Sequence, residues 1–347
     1  MNKDERREIE VVKSILNKIL NNKHLSEEEA KDLMDNIMDA RFTQSQIGAI
    51  LVGLRMKRET PEELTGFVKS MREHAKKIKT RHPIVVDTCG TGGDGLKTFN
   101  ISTASAFVVA GAGIPVAKHG NRSVSSSSGS ADVLERLGFN INLSSQAIED
   151  CLNHIGIAFL FAPLLHPSMK NVALTRRELG IRTFFNILGP LTNPAGVDNQ
   201  VIGVFDKSIM PTLAEVIKNL NPRHIYLVHG AGGMDELSLE GPNYVIEIKG
   251  NESREFFLDP EQYNFQKVPS SEFVVENSEE SARKIMRVLR GEKSFDKDIV
   301  VLNAAIAIMA SDYTSDFKEA IMMAKDSIDS KLALSKFETL KTYTNAL

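Results

Sequence analysis

Cysteine is almost missing from this chain of 347 residues: Cys89 and Cys151 stand alone, at a spacing that fits no zinc or redox site. That scarcity suits a reducing cytoplasm. An excess of charge of either sign is missing as well. Lys and Arg number 42 against 45 Asp and Glu, a formal net charge of −3, so no global basic field recruits nucleic acid. The opening MNKDERREIE is charged where a secretory leader would be apolar. One uncharged run, Thr98 to Ala117, reaches the length of a membrane span, but Asn100, Ser102, Thr103, Ser105, Gly111, Gly113 and Pro115 interrupt it. A buried helix followed by a strand is expected there. What the sequence does have is apolar content, 42 % hydrophobic residues, enough for a sizeable core in about two domains.

The first 75 residues are punctuated as helices. Ser26 with Glu29, Thr43 with Gln46, and Thr60 with Glu63 are spaced as capping boxes, the last with Pro61 at the first helical position. Each opens an apolar pattern of helical period: Leu33 and Ile37; Ile47, Ile50, Leu51 and Leu54; Leu64, Phe67, Val68 and Met71. An earlier helix carries Ile9, Val12, Leu16 and Ile19. Four short amphipathic helices make a small bundle, and the lysine-rich stretch from Lys76 to Arg81 reads as a solvated connector.

After Pro83 the texture changes to short, β-branched runs: IVVDTC, PVAKHG, AFLFAP, QVIGVF, HIYLVHG and YVIEI. Helical patterns lie between most of them, which predicts an α/β domain over residues 82–347 with a mostly parallel central sheet flanked by helices. Ligands of such sheets sit beyond the carboxyl ends of the strands. The loops there are GTGGDG, KHGNRSVSSSSGS, HPSMKN and HGAGGMDE.

The first of these loops fits two phosphate motifs imperfectly. Gly90, Gly92 and Gly95 match a dinucleotide fingerprint, but no acid follows between Asp94 and Asp132 to hold a ribose. A 2′-phosphate could still meet Lys118, so the NADP version is weakened rather than excluded. Gly90, Gly95, Lys97 and Thr98 come within one residue of a Walker A loop, with Leu96 as the extra position. The stretch from Lys118 to Ser130 adds two cations and a row of hydroxyls, a second anion-binding surface. Two such surfaces suggest a ligand with two separate phosphate groups.

Taken in order, GTGGDGxxTFNIST, VAKHGNRSVSS, GSADVLE, HPSMKNV, RTFFNILGPLTNP and GMDELS resemble the anthranilate phosphoribosyltransferases over nearly the whole chain. The resemblance implies a fold of the nucleoside phosphorylase/phosphoribosyltransferase type, with a helical domain over 1–75 completed by helices from about 168–190. It implies the ligand 5-phosphoribosyl-1-pyrophosphate, contacted by Gly90, Gly93, Asp94, Thr98, Asn100, Ile101, Ser102, Thr103, Lys118, Ser126 and Ser130. It puts Gly90, Asn121 and Arg176 around anthranilate, and Mg2+ on Ser102, Asp235 and Glu236. It implies a cytoplasmic homodimer paired through the helical region, with neither nucleic acid nor membrane as partner.

The chemistry implied is pentosyl transfer to an aromatic amine that is already neutral at pH 7, so no strong base and no covalent nucleophile is required. His119 reads as a structural or polar lining residue. Arg176 and Arg177 are consecutive in a helical stretch, so their side chains diverge by about 100° and only one faces the site. Val172, Ala173 and Leu179 share the face of Arg176 and make it the apolar one. Two alternatives stand beside this reading: a pyrimidine nucleoside phosphorylase-like enzyme, which would lack the carboxylate-binding arginine, and a non-enzymatic nucleic-acid-binding relative, which should be basic.

Overall fold

The computed structural model describes residues 3–123 and 128–347. Four helices come first: α1 (Lys3–Leu20), α2 (Glu27–Met38), α3 (Gln44–Lys57) and α4 (Pro61–Glu73). All three capping boxes form with both reciprocal hydrogen bonds. The rest alternates between strand and helix: β1 (Val86–Asp87), α5 (Ile101–Gly111), β2 (Val116–Gly120), α6 (Ser130–Arg136), α7 (Ser145–Asp150), β3 (Ile157–Phe161), α8 (Ala162–Leu165), α9 (Lys170–Leu179), α10 (Phe185–Leu188) and β4 (Asn199–Gly203). Then follow α11 (Met210–Asn219), β5 (His224–His229), β6 (Asn243–Lys249), β7 (Glu252–Leu258), α12 (Ser278–Leu289), α13 (Phe295–Ala310), α14 (Phe317–Asp329) and α15 (Leu332–Asn345).

The strands form one sheet in the order β3-β2-β1-β4-β5-β6-β7. The first five are parallel; β6 and β7 join antiparallel at one edge. The strand order reverses between β1 and β4, which is where a doubly wound sheet opens a crevice at its carboxyl edge. Strand β7 has no counterpart among the predicted runs. Its sequence ESREFFL is an exposed edge strand that hides little apolar surface, so it leaves a weak hydrophobic signal.

The sheet is buried on both faces by alternation along its strands. Tyr226 and Val228 of β5 join one core with α5 and α13, while Ile225 and Leu227 point the other way. That second core is continuous with the helical bundle, because Leu213, Val216 and Ile217 of α11 sit between the sheet and α4. Helix α9 packs on α2 and α3, where Asn171 Nδ2 donates to Met38 O at 2.7 Å and Gln44 Nε2 to Asn171 O at 3.0 Å. The two parts of the chain therefore share apolar packing as well as a covalent link.

The connector from Lys76 to Arg81 is not the solvated segment expected. Its lysine side chains are exposed, but its backbone is strapped to the large domain: Lys76 N donates to Leu165 O at 2.8 Å and Ile78 N to Pro194 O at 3.1 Å. Lys79 N reaches Glu149 and Arg81 N reaches Asn153, each at 2.8 Å, and Ile78 is buried.

Glu63 does more than cap. Its carboxylate is fully buried and accepts from Leu25 N at 2.8 Å, Thr60 N at 2.9 Å and Lys57 Nζ at 2.7 Å. It fixes the turn before α2 and the turn before α4 together. Removing one partner of such a pair strands the other, so Glu63→Ala should lower stability by about 3–5 kcal/mol in urea unfolding. Lys57→Met with Glu63→Leu should lose far less. A Glu63→Ala protein as stable as wild type would show that the pair contributes nothing.

Candidate active site

The carboxyl ends of β1, β2, β4 and β5 open into a cleft of about 350 Å³. Its floor is set by one close approach. A Cβ on Gly203, at the end of β4, would lie 1.5 Å from Asp235 O, so only glycine lets the loop after β5 come down onto the sheet. Thr91 N donates to Gly203 O at 2.8 Å and pins the glycine loop from the other side. Thus three loops meet over one backbone position.

The glycine loop runs from Thr88 to Asn100 before α5 begins, longer than a dinucleotide or Walker A turn, in which the helix follows directly. Gly92, Gly93 and Gly95 all have positive φ, and Asp94 Oδ1 accepts from Leu96 N at 3.0 Å. Its second half zips onto residues 273–275: Phe99 N donates to Phe273 O, and Val275 N to Lys97 O, each at 2.9 Å. The N-terminus of α5 then faces the cleft with no side-chain cap and no acid in its first turn.

Of the residues expected at the site, Gly90, Gly93, Asp94, Thr98, Asn100 and Ser102 line the cleft, as do Lys118, Asn121, Ser130, Arg176, Asp235 and Glu236. Two do not. Ile101 is buried in the core, and the Thr103 side chain faces a separate water-sized cavity. The backbone amides of both are taken by Phe99 O and Asn100 O. Ser126 lies outside the described residues.

Three acids crowd the end of the cleft nearest β5. Burial, reinforced by Asp94, pushes Asp235 up to about 7; burial and Asp235 raise Glu236 well above the usual carboxylate range. Glu236 Oε1 accepts from Ser102 N at 2.8 Å. Lys118 is the buried cation beside them, donating to Thr88 O at 2.9 Å and Ser102 Oγ at 3.2 Å. Among the described residues no three His, Cys, Asp or Glu side chains share one metal-ligating point. Asp235 and Glu236 offer oxygen donors only, the kind that a hard cation such as Mg2+ takes.

The opposite wall comes from residues 162–190. Arg176 is half-buried with its guanidinium 5.1 Å from the Phe185 ring, and among the described residues no acid pairs with it. Burial alone lowers its pKa. Arg177 is exposed, and so is Ala173, which leaves Val172 and Leu179 as the apolar neighbours on its face. A second arginine of this wall has no expected role from sequence. Arg182 stacks 4.2 Å from the Phe205 ring and donates to Gly93 O, tying the wall to the glycine loop. It stands in the block RTFFNILGPLTNP, but no spacing marks it as a contact to a loop that lies 89 residues earlier.

His119 and His166 form a buried pair beneath the cleft, ring centroids 5.2 Å apart, with both Nε2 atoms unpartnered among the described residues. Burial is the main cause that depresses His119 to about 3 and His166 to about 4, and the neighbouring ring adds to the shift of His119. Below them Asp87 accepts from Asn193 Nδ2 at 2.8 Å, His119 N at 3.1 Å and Gln200 Nε2 at 3.3 Å, and burial raises it to about 6.

Against this geometry the comparisons with known proteins can be set. A model of the glycosyl transferase family a/b domain matches residues 82–334, and one of the same family's helical bundle domain matches residues 13–75. The chain is 49 % identical to the anthranilate phosphoribosyltransferase of Pelotomaculum thermopropionicum, over 97 % of this chain and 98 % of that one. The Aquifex aeolicus protein of the same name is 45 % identical, over 98 % and 100 %. Among solved structures, the anthranilate phosphoribosyltransferase of Thermus thermophilus superposes with a TM-score of 0.90 at 36 % identity, over 95 % and 99 % of the two chains. The Saccharomyces cerevisiae enzyme in complex with phosphoribosyl pyrophosphate and Mg gives 0.90 at 28 % identity, over 97 % and 98 %.

The two imidazoles supply a pH test. Their folded values lie below the ordinary value of about 6.5, so the neutral pair stabilises the fold fully above that pH. The contribution is lost as pH falls from there toward 4 and 3. Wild type should therefore lose melting temperature more steeply on acidification from about pH 6.5 to 4 than His119→Gln/His166→Gln does. Parallel curves for the two proteins would mean that the pair is not held neutral by burial.

Proposed function

The chain belongs to the anthranilate phosphoribosyltransferase family, and from that membership we propose how its cleft performs the family's reaction. The enzyme transfers the phosphoribosyl group of 5-phosphoribosyl-1-pyrophosphate to the amine of anthranilate, giving N-(5-phosphoribosyl)anthranilate and pyrophosphate, a step of tryptophan biosynthesis. The bond from ribose C1 to the pyrophosphate oxygen breaks with its electron pair leaving on pyrophosphate. The amine lone pair forms the new C1–N bond, and the amine then releases a proton.

Each wall has a part in this. The glycine loop over residues 90–95 and the positive end of α5 bind the pyrophosphate, with Thr98, Asn100 and Ser102 lining the cleft around it. Lys118, Ser126 and Ser130 hold the remaining anionic oxygens. Asp235, Glu236 and Ser102 would hold Mg2+, which neutralises the departing oxygens as a Lewis acid. Ser102 Oγ already accepts from Lys118, so the lysine orients the hydroxyl lone pair left for the ion. Gly90, Asn121 and Arg176 surround anthranilate. No group here has to act as a strong base, and the neutral His119–His166 pair serves as polar lining.

The observation that carries the acceptor assignment is Arg176. A guanidinium half-buried against Phe185, with no acid beside it among the described residues, needs an anion, and a benzoate-type carboxylate matches its two parallel N–H groups. A neutral nucleobase could accept its hydrogen bonds but would leave its charge unbalanced. The same reading has two copies pairing through the helical domain, where Leu20 and Met56 are 79 % and 81 % exposed. It places the enzyme in the cytoplasm; no helix among the described residues is long and apolar enough to cross a membrane.

Two measurements test the assignments. Arg176→Ala should weaken anthranilate binding by about 1.5–3 kcal/mol while affinity for phosphoribosyl pyrophosphate barely moves and Arg177→Ala stays silent. A lower melting temperature with an unchanged anthranilate KM would make Arg176 structural instead. Asp235→Asn with Glu236→Gln should raise the Mg2+ requirement and depress turnover, followed by anthranilate fluorescence, and leave anthranilate binding nearly intact. An unaltered Mg2+ dependence would remove these acids from the metal site.

A further inference from the structure

Asp132 does not line the cleft, yet it grips the neck of the loop that forms one wall of it. The chain leaves β2 through Asn121, Arg122 and Ser123 and returns at Ser128 and Gly129 into α6. The two limbs cross so closely that a Cβ on Gly129 would lie 2.3 Å from Ser123 N and 2.7 Å from Asn121 O. Ser130 Oγ accepts from Asn121 N at 3.2 Å, and Ala131 N donates to Asn121 O at 3.2 Å. Behind this crossing sits the Asp132 carboxylate. Its Oδ2 accepts from Ser123 N at 2.9 Å on the outgoing limb and from Gly129 N at 3.0 Å on the returning limb. Its Oδ1 accepts from the Arg122 guanidinium at 3.1 Å, and Glu135 holds the same guanidinium with two bonds of 2.6 and 2.8 Å.

Asp132 stands three residues after the N-cap Gly129, so a plain capping role accounts for one of these bonds. It does not account for the other two. A cap requires only the Gly129 amide; Ser123 and Arg122 lie outside the helix, on the limb that leaves the sheet. One ionised oxygen bridging both limbs fixes the width of the loop at its base, and bonds to an ionised acceptor are the stronger kind.

The returning limb is anchored to the cleft as well. Asn100, at the N-cap of α5, donates through Nδ2 to Ser128 O at 3.1 Å, and its Oδ1 accepts from Ser128 Oγ at 3.0 Å and Ser281 Oγ at 2.7 Å. A limb that drifts from Asp132 therefore pulls on Asn100 and on the start of α5.

We infer that Asp132 is a positioning residue for the phosphoribosyl pyrophosphate site, setting the places of Asn121, Ser128 and Ser130 by tying both limbs of the loop to one carboxylate. The inference rests on the reading of the cleft under Proposed function. Its consequence is weighted toward the donor: donor-substrate binding suffers most, and anthranilate, which meets this loop only through Asn121 and is held by Arg176 from residues 162–190, suffers less.

The test is calorimetric binding of phosphoribosyl pyrophosphate with Mg2+, beside steady-state kinetics, for wild type, Asp132→Ala, Asp132→Asn and Ser144→Ala. Asp132→Ala should bind the donor about ten- to a hundredfold more weakly, the worth of one or two bonds to a charged acceptor, with the anthranilate KM rising by a clearly smaller factor, through Asn121 alone. Asp132→Asn keeps an acceptor for the two amides but turns an N–H toward Arg122, and should fall between. Amide exchange at 121–123 and 128–130 should quicken in both. Ser144→Ala removes the cap of α7, away from the cleft, and controls for lost helix capping: its melting temperature should fall with no change in donor binding. If both Asp132 variants bind the donor like wild type while melting lower, Asp132 is only a cap and the inference fails. Should Asp132→Ala not fold, unchanged donor binding by Asp132→Asn overturns it alone. Wild type that binds the donor but does not consume anthranilate would sink the proposed reaction and leave this comparison intact; wild type that does not bind the donor sinks both.

Discussion

Charge that the chain leaves unbalanced organises the cleft. Asp94, Asp235 and Glu236 are crowded at one end with Lys118 as the buried cation beside them, and Arg176 stands on the far wall without an acid. Burial and like charge raise the pKa values of Asp235 and Glu236, because the ionised forms repel and lose solvent; a half-buried arginine suffers the same loss of solvent. Neither arrangement is favourable for an isolated protein. On the proposed reading both would become favourable when ligands bring a cation, a carboxylate and phosphates into the gaps.

The fold makes that crowding possible. Strands β1, β4 and β5 are adjacent and parallel, so the loops that follow them leave the same edge of the sheet. Gly203 removes the side chain that would hold the β5 loop away, and the carbonyls and amides of three loops then meet over its backbone. Beneath them the polar layer is neutral where it can be. His119 and His166 are kept uncharged by burial, and Asp87 is partly relieved by three hydrogen bonds and by Lys118 nearby. At the cleft wall the unbalanced charge stands where ligands can reach it. The helical bundle is continuous in its packing with the other face of the sheet, so the wall carrying Arg176 rests on both parts of the chain.

Much of this was legible from sequence, because the legible features are local. A capping box needs residues three apart, and all three formed. An apolar β-branched run needs only its own residues, and six became strands. The exception, β7, is an edge strand stabilised by pairing with β6 rather than by burial, so its composition is that of a loop. Features that depend on distant partners were not legible. Nothing near Ile78 in the sequence announces that Leu165 and Pro194 will bind that connector, and nothing near Arg182 announces Gly93. For Ile101 and Thr103 the motif placed the segment well but not its side chains: a helix that starts at the cleft must turn some of its first-turn residues toward the core.

The imperfect fit of the glycine loop to two familiar motifs has a physical cause. In dinucleotide and Walker A sites the turn is short because the helix whose N-terminus takes the phosphates follows the strand directly. Here the segment between β1 and α5 must also reach across to Asp235 and lie against residues 273–275, so it is longer, and its glycines are spaced for several turns rather than one. Its lysine, Lys97, has positive φ and gives its carbonyl to Val275 N, so its backbone serves an anchor rather than the tight turn of a P-loop. The buried cation at this edge of the sheet is Lys118, one strand away and held against Thr88 and Ser102, rather than a lysine directly after the loop's last glycine. A buried lysine held by neutral oxygens has its position fixed before any ligand arrives, whereas one on a flexible turn does not. The substitution of one for the other is why residue spacing alone pointed to phosphate without saying which.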